Sequence, residues 1–352
     1  MALAELGGLG DSEGPFHVKH AIPPLYHSGA AAPPAAMEWS SWAATSAGDI
    51  AERSNRVMTA WTRRTVCLSV LAAPLILGSR CARADETEPA LDAIERRLGG
   101  RLGISVGTPE RILISHRAGE RFPMCSTFKV LAVAAVLARV DAGSESPDRV
   151  IAFGPGDLLS YAPVTRKALD AGGGTGRMTV SDLCAAAIEW SDNSAANLLL
   201  TALGGPRALT QWLRGFGDPI TRLDRTEPTL STSLPGDPRD TTSPAAMRET
   251  LGRVLLGPTL SPSARARLEA WMVASRTGLK RLRAGLPPDW PVGDKTGTGD
   301  NGTFNDVAIL RPPGHAPVFA CVYITGAEAP AEAVEAAYAE IGRLAAARAV
   351  GA

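Results

Sequence analysis

Ser126 and Lys129 are the residues whose types and spacing first suggest chemistry. The apolar, alanine-rich run over 130–137 is long enough for a buried helix, so the serine is predicted at its N-terminus with the lysine one turn later on the same face. The free N–H groups of a helix N-terminus favour negative charge beside the serine, and the lysine could take or relay its proton. By itself, however, Ser-x-x-Lys indicates an N-cap serine and a surface lysine more readily than a nucleophile with its base.

A second candidate is the polar triplet Ser191-Asp192-Asn193. It follows an apolar helix that is predicted to begin after an N-cap at Thr179. A loop that leaves such a helix can point a hydroxyl and an amide into a cleft, so Ser191 could pass a proton and Asn193 could hold a substrate carbonyl. A plain polar turn is the alternative interpretation.

A third candidate lies in residues 222–242, a long stretch without regular periodicity. Long irregular loops are typically functional or mobile, and the charges near its two ends predict an ion pair between Arg225 and Asp240 that closes it. Inside the loop, Glu227 is a candidate general base for water. The alternative is an exposed loop carboxylate.

The fourth candidate, Lys295-Thr296-Gly297-Thr298, lies on a predicted strand. Its small residues would let a ligand approach the backbone, and Lys295 and Thr296 could contact a carboxylate. The N–H of Thr298 could serve as an oxyanion donor. A glycine-rich turn is the alternative here.

The elements that must position these residues are strands near both ends and helices between them. The pattern predicts a helix over 88–98, strands over 103–108, 111–116, 292–297, 305–310 and 318–324, and a last helix over 330–348. This order implies an α/β domain in which both termini close one sheet, with a helical domain inserted between them. We expect the last helix to cover the sheet.

Composition favours a small-molecule partner. The 352 residues include 36 basic and 36 acidic side chains, so the formal net charge is zero and nothing predicts attraction to nucleic acid or anionic lipid. With 45% apolar and 20% charged residues, the chain is long enough for one large domain or two packed lobes.

The N-terminal part predicts export. Residues 1–57 contain Pro and Gly clusters and no sustained apolar period, so we expect them not to fold with the domain. Residues 58–84 combine the pair Arg63-Arg64, a short apolar run and an A-x-A site, the pattern of a secretory signal peptide cleaved near Ala84-Asp85. The run is too short for a stable membrane anchor, and its arginines are compatible with either Sec or twin-arginine export.

Because signal peptides belong at the N-terminus, we expect translation to start at Met58 and residues 1–57 to be a non-native upstream extension. The mature protein over 85–352 would then be periplasmic or secreted. Nothing in its sequence demands more than a monomer.

The histidines and cysteines do not predict a metal site or a disulfide. His116 and His315 lack a neighbouring ligand in the sequence, so a zinc site would need remote carboxylates or cysteines. Cys125, Cys184 and Cys321 lack ligand spacing and are predicted to be small buried hydrophobic side chains.

Taken together in this order and at these separations, the four motifs resemble those of the class A serine β-lactamases. The motifs are Ser126-x-x-Lys129, Ser191-Asp192-Asn193, Glu227-Pro228 and Lys295-Thr296-Gly297. The resemblance covers essentially all of the mature chain.

The resemblance implies an α/β (α+β) fold of the β-lactamase and transpeptidase type. An antiparallel five-stranded sheet flanked by helices would form one lobe, from about 85–124 and 276–352. An all-helical lobe over about 125–275 would complete it, with the active site between the two. The resemblance also implies a β-lactam substrate and no cofactor.

The resemblance assigns the chemistry residue by residue. Ser126 would attack the lactam carbonyl, and its N–H and that of Thr298 would form the oxyanion hole. Lys129 and Glu227 would handle the proton. Which of them is the acylation base is disputed for the family, whereas Glu227 would activate the deacylating water. Ser191 would protonate the lactam nitrogen.

The resemblance also assigns the substrate contacts. Lys295, Thr296, Thr298 and Arg281 would hold the substrate carboxylate, and Gly297 would allow its close approach. Asn193 would contact the side-chain amide. Tyr161 would line the cleft.

The chain departs from the family pattern at three places. Ser231 stands where the family usually has an asparagine that holds the hydrolytic water, so deacylation of some substrates is expected to be slower or differently selective. Val133 stands where a frequent disulfide partner of Cys184 would be. Gly299 likewise stands near the position of the partner that Cys125 has in some carbapenem-hydrolysing relatives, so this argument for carbapenem hydrolysis is absent. Thr298 and Ser231 keep activity on a broader range of β-lactams open.

Two other functions share part of this pattern. A DD-peptidase or transpeptidase has Ser-x-x-Lys and Lys-Thr-Gly but usually lacks a loop with a glutamate such as Glu227. A β-lactam-binding sensor would form a stable acyl adduct and would normally carry a membrane-spanning signalling segment. Hydrolysis of β-lactams is the favoured prediction, since rapid loss of the acyl group needs a base for water.

Overall fold

The computed structural model of the chain describes residues 87–351. Its helices are α1 (Thr87–Leu98), α2 (Phe128–Asp141), α3 (Pro163–Ala171), α4 (Val180–Glu189), α5 (Asn193–Leu203), α6 (Pro206–Gly215), α7 (Pro244–Leu255), α8 (Pro262–Val273) and α9 (Ala331–Val350). Its strands are β1 (Arg101–Gly107), β2 (Ile112–His116), β3 (Phe122–Pro123), β4 (Val150–Phe153), β5 (Gly176–Thr179), β6 (Thr241–Thr242), β7 (Val292–Gly299), β8 (Thr303–Leu310) and β9 (Val318–Thr325). The predicted upstream extension, signal peptide and cleavage site lie outside the described residues.

The five long strands form one antiparallel sheet in the order β2-β1-β9-β8-β7. Strands from both ends of the described range therefore meet at its centre, where β1 pairs with β9. The five predicted strands are confirmed, and so is the predicted fold class. The motif-bearing strand, β7, lies at one edge of the sheet, where its free side can face a ligand.

Helices cover both faces of this sheet, which explains why β9 is buried and apolar from Val318 to Ile324. Phe319, Cys321 and Tyr323 belong to the core that includes α2 and α7. The alternate residues, such as Val322 and Ile324, belong to a second core with α1 and α9. The last helix thus covers the sheet, as expected.

The helical part is centred on α2. Its first ten residues, from Phe128 to Leu137, are all buried, and a helix that is apolar all round requires neighbours on every side. Helices α4, α5, α6 and α8 supply them. Burial on all sides fixes α2, and so it fixes the start of the helix beside Ser126.

Two short strand pairs accompany these helices and were not predicted. Strand β3 pairs with β6, and β4 pairs with β5. Each strand has two to four residues, too few for an alternating pattern to be recognised. The β3–β6 pair joins the segment before Ser126 to the end of the long loop. Among the described residues, none of the helices is long and apolar enough to cross a membrane.

Candidate active site

Ser126 lies in a single 3-10 turn, Cys125–Thr127, that leads directly into α2. The turn begins from a left-handed residue, Cys125, with φ of 45°, a conformation that is unfavourable for a side chain and is typically retained at functional sites. Lys129 follows one helical turn later and its Nζ donates to Ser126 Oγ at 2.8 Å. The structure thus brings the predicted nucleophile and base together.

Lys129 is completely buried and surrounded by acceptors. Its Nζ donates to Asn193 Oδ1 at 2.5 Å and to the Ser191 carbonyl at 2.8 Å, and it lies 3.2 Å from Glu227 Oε1. Burial lowers the pKa of Lys129, and the charge of Glu227 only partly opposes this effect. The amine can therefore lose its proton more readily than an exposed lysine.

Glu227 meets both the nucleophile and the unusual serine of its own loop. Ser126 Oγ donates to Oε1 at 3.0 Å, and Ser231 Oγ donates to Oε2 at 3.1 Å. Asn197 fixes the backbone at this point, since its side chain donates to the Glu227 carbonyl at 2.9 Å and accepts from the Glu227 N–H at 3.0 Å. Asn197 was not given a role from the sequence, although an amide one turn after Asn193 in an apolar helix was a usable signal.

The loop that carries Glu227 is closed at its ends by Arg225 and Asp240. Arg225 Nε donates to Asp240 Oδ2 at 2.6 Å. The other oxygen of the buried Asp240 carboxylate accepts from the N–H groups of Asp224 and Arg225, at 2.7 and 2.9 Å. The exposed-carboxylate alternative for Glu227 does not hold, because this closed loop buries its side chain.

Ser191 lies between two lysines. Lys295 Nζ donates to Ser191 Oγ at 2.9 Å, and Lys129 Nζ approaches the same oxygen at 3.4 Å. Ser191 itself adopts a left-handed φ of 57°. Burial, followed by the nearby positive charge of Lys129, holds the pKa of Lys295 well below its usual range. The hydroxyl is thus placed to exchange a proton with either amine.

Residues on β7 and an arginine form the next part of the cleft. Arg281 donates to Thr298 Oγ1 at 2.6 Å and to the Gly297 carbonyl at 2.8 Å. Thr296 Oγ1 donates to Thr277 Oγ1 at 2.6 Å, a contact that the sequence did not predict. Cationic and hydroxyl groups are therefore concentrated along this strand.

Tyr161 is an exposed member of the predicted site residues, with 49% of its surface accessible. Its carbonyl accepts from the N–H of Asn193 at 3.1 Å. The backbone contact ties Tyr161 to the polar triplet, and the ring is free to contact a ligand.

His116 does meet carboxylates, although none is close in the sequence. Its Nδ1 lies 2.8 Å from Glu88 and its Nε2 lies 2.7 Å from Glu95, both on α1. Asp92 of the same helix, Glu88 and His116 have their ligand atoms within 4.8 Å of one another. Both ring nitrogens already have carboxylate partners, so the ion pairs alone explain this arrangement.

The cysteines of the described range, Cys125, Cys184 and Cys321, are free and buried. Burial raises the pKa of Cys125 to about 12, so the thiol beside Ser126 stays protonated and is a poor nucleophile. A Cβ at position 299 would lie 2.6 Å from Cys125 Sγ. Gly299 supplies no side chain there.

The antiparallel sheet, the helices beside it, and a buried Ser-Lys-Glu cluster next to a strand bearing Lys-Thr-Gly are typical of a serine hydrolase. Residues 86–349 match the family model described as "Beta-lactamase enzyme family". This chain belongs to that family, and its similarities identify it as a class A serine β-lactamase.

The relatives are similar along nearly their full length. The chain is 43% identical to the β-lactamase Toho-1 of Escherichia coli over 279 residues, which cover 78% of this chain and 94% of the relative. It is also 43% identical to OXY-2 of Klebsiella oxytoca, over 76% of this chain and 91% of the relative.

A solved structure, the ancestral (GNCA) class A β-lactamase, is 57% identical with a TM-score of 0.70, covering 73% of this chain and 97% of that one. β-Lactam hydrolysis and antibiotic resistance are therefore the activity and the role of this family member.

Proposed function

We propose that this enzyme hydrolyses penicillins and cephalosporins through an acyl-enzyme on Ser126. In the first step, Ser126 Oγ bonds to the lactam carbonyl carbon, the ring C–N bond breaks, and the nitrogen takes a proton from Ser191. In the second step, water activated by Glu227 attacks the ester and releases Ser126. The observation that carries this proposal is the contact of Ser126 Oγ with both Lys129 Nζ and Glu227 Oε1, at 2.8 and 3.0 Å.

Two bases are available for the first step. Lys129 is supported by its lowered pKa and its hydrogen bond to Ser126, and Glu227 by its equally direct contact with the same oxygen. A proton that reaches Lys129 can pass to Ser191 Oγ and then to the leaving nitrogen, since Lys129 and Lys295 both lie near that hydroxyl. The proposal includes both routes.

Substrate binding is assigned to β7 and its neighbours. The N–H groups of Ser126 and Thr298 would bind the carbonyl oxygen as its negative charge develops. Lys295, Thr296, Thr298 and Arg281 would hold the substrate carboxylate, which is supported by the hydrogen bond from Arg281 to Thr298 Oγ1. The remaining proposed substrate contacts come from Asn193, Tyr161, Ser231 and Gly297.

Hydrolysis assays of a penicillin, a cephalosporin and a carbapenem, with wild type and Ser126→Ala, test this function. We expect steady turnover of the first two and loss of turnover in the variant. The carbapenem rate decides whether the enzyme also hydrolyses that class. A single burst without turnover would instead indicate the sensor function. Cleavage of D-Ala-D-Ala peptides in preference to lactams would indicate the peptidase.

We also propose that the enzyme acts as an exported monomer after cleavage near Ala84-Asp85, by the Sec or the twin-arginine route. The support is the signal-peptide pattern over 58–84. N-terminal sequencing of the secreted protein tests it, and a mature protein that begins at Met1 would contradict it.

A further inference from the structure

Asn305 on β8 is fully buried and joins the segment before the nucleophile to the sheet. Its Nδ2 donates to the carbonyl of Pro123 at 2.8 Å and to that of Met124 at 3.0 Å. These carbonyls belong to the two residues that precede Cys125, where the chain enters its left-handed turn to Ser126. A side chain on β8 thus holds the turn that orients the Ser126 N–H.

The backbone of Asn305 acts on the other side of the cleft. Asn305 pairs directly with Gly297 in the β7–β8 ladder, and the next residue on β7 is Thr298. Asn305 therefore contacts the segments that carry both proposed oxyanion donors, the N–H of Ser126 and the N–H of Thr298.

Gly297 lets the Asn305 side chain reach the segment from Pro123 to Ser126, which we call the nucleophile turn. A Cβ at position 297 would lie 2.8 Å from the Met124 carbonyl oxygen, and 3.2 Å from Asn305 Nδ2. No ordinary side chain fits in this gap. The glycine of the Lys-Thr-Gly motif is therefore needed for packing between the turn and the strand, as well as for ligand approach.

The Met124 peptide is anchored from three directions. Its carbonyl accepts from Thr127 Oγ1 at 2.8 Å as well as from Asn305, and its N–H donates to the Asp240 carbonyl at 2.9 Å. Since Asp240 closes the Glu227 loop, this peptide connects the loop, α2 and β8. Of the side chains that donate to the Met124 carbonyl among residues 87–351, that of Asn305 is the one that belongs to the five-stranded sheet.

The orientation of the Asn305 amide follows from its partners. Carbonyl oxygens only accept, so the NH₂ group must face them, and Oδ1 is left without a hydrogen-bond partner among the described residues. A buried polar atom without a partner is unfavourable and calls for an explanation beyond packing. The contacts of Nδ2 with the nucleophile turn provide one.

We propose that Asn305 is a positioning residue that sets the separation between the two oxyanion donors. The inference rests on the proposed function, because it takes the N–H groups of Ser126 and Thr298 as those donors. Without the Asn305 amide, the Met124 peptide loses its link to β8 and the Ser126 N–H shifts relative to that of Thr298. Both acylation and deacylation pass through an oxyanion, so both should slow.

The test compares Asn305→Ala with Thr303→Val. Thr303 lies two residues earlier on β8, is equally buried, and bonds to Thr325 away from the site. Removing a whole oxyanion donor typically slows a reaction by about 10²–10³-fold, so displacing one should slow acylation by benzylpenicillin by at least about tenfold. The control should acylate at the wild-type rate.

A spectroscopic measurement separates positioning from general destabilisation. In the Glu227→Gln background, which should retain the acyl-enzyme, the infrared stretch of the ester carbonyl reports its hydrogen bonds to the two donors. We expect this band to move to higher wavenumber when Asn305→Ala is added, and to stay unchanged with Thr303→Val. Asn305→Ser, which keeps one donor, should give an intermediate band and an intermediate rate.

A folded Asn305→Ala variant with the wild-type rate and an unshifted band would overturn the inference. If that variant does not fold, Asn305→Ser decides in the same way, since an unchanged rate and band would refute a positioning role. If the wild-type enzyme itself forms no acyl adduct on Ser126, the proposed function fails independently of Asn305.

Discussion

At the residue scale, the proposed acyl transfer to Ser126 depends on Lys129, which has no contact with solvent. Lys129 is fully buried, yet it has acceptors on Ser126, Ser191 and Asn193. Burial favours the neutral amine and lowers its pKa, while Glu227 favours the ammonium. This balance supports the proposed role of Lys129, which is to accept a proton from Ser126 and to pass it toward Ser191.

Ser231 gives a prediction at this scale. Its hydroxyl donates to Glu227 Oε2 at 3.1 Å, so Ser231→Ala frees the carboxylate that is proposed to orient water. A hydrogen bond to a charged group contributes about 1.5 kcal/mol, so deacylation should slow by about tenfold. Acylation should change little, and rapid-quench mass spectrometry measures the two rates separately.

Thr229→Ala is the matched control, because Thr229 lies on the same short turn but is exposed and bonds to the Thr226 carbonyl. Equal effects of both variants on deacylation would contradict a specific role for Ser231.

The sequence could predict residues whose chemical type is informative, such as Ser126, Lys129 and Glu227. It could not predict Asn305, because the significance of this amide depends on two backbone carbonyls about 180 residues away in the chain. The contact of Thr277 with Thr296 escaped prediction for a similar reason. Such roles depend on where backbone segments meet, and no residue type marks that.

At the element scale, α1 is joined to β2 by a histidine between two glutamates. Burial by itself would lower the pKa of His116, but hydrogen bonds to Glu95 and Glu88 outweigh burial and raise it. The protonated ring therefore stabilises the attachment of α1. This contribution is fully present below the ordinary pKa of about 6.5 and is lost as the pH rises through the raised, folded-state value.

We therefore expect His116→Gln to reduce the free energy of unfolding most at acidic pH. Urea unfolding in steps from about pH 6 to about pH 10 should show the difference from wild type shrinking as the pH rises. The exposed His315→Gln is the surface-histidine control. If the loss in free energy of unfolding caused by His116→Gln grows as the pH rises, that result would contradict the raised pKa of His116.

Long elements were predictable because their periodicity extends over several residues. The predicted helix over 88–98 and strand over 318–324 agree with α1 and β9 to within one residue at each end. The short strands β3 and β6 were not predictable, since two residues form no pattern. Their pairing depends on how the long loop returns to the segment before Ser126.

At the scale of the whole molecule, the sheet separates two cores. Tyr323 packs in the core with α2, which leads from the nucleophile turn, whereas Ile341 of α9 is fully buried in the other core. Stability and catalysis should consequently be separable. A change in the second core should weaken the fold without disturbing the site.

Ile341→Ala tests this separation. Truncation of a buried isoleucine typically lowers the free energy of unfolding by about 2–5 kcal/mol. We expect a lower melting temperature with unchanged kcat/KM at temperatures where the variant is folded. Ile341→Val should lower stability by only about 0.5–1.5 kcal/mol. A large fall in kcat/KM of the folded variant would show instead that the two cores are coupled.

The central claim is that Glu227 removes the acyl group from Ser126, and intact-protein mass spectrometry tests it most directly. The purified enzyme is mixed with benzylpenicillin and sampled from seconds to an hour, beside Glu227→Gln and the exposed control Glu332→Gln. We predict that wild type and the control return quickly to the free mass, while Glu227→Gln stays acylated at Ser126. A wild type that remains acylated, or a Glu227→Gln variant that clears its adduct as fast as wild type, would contradict the account.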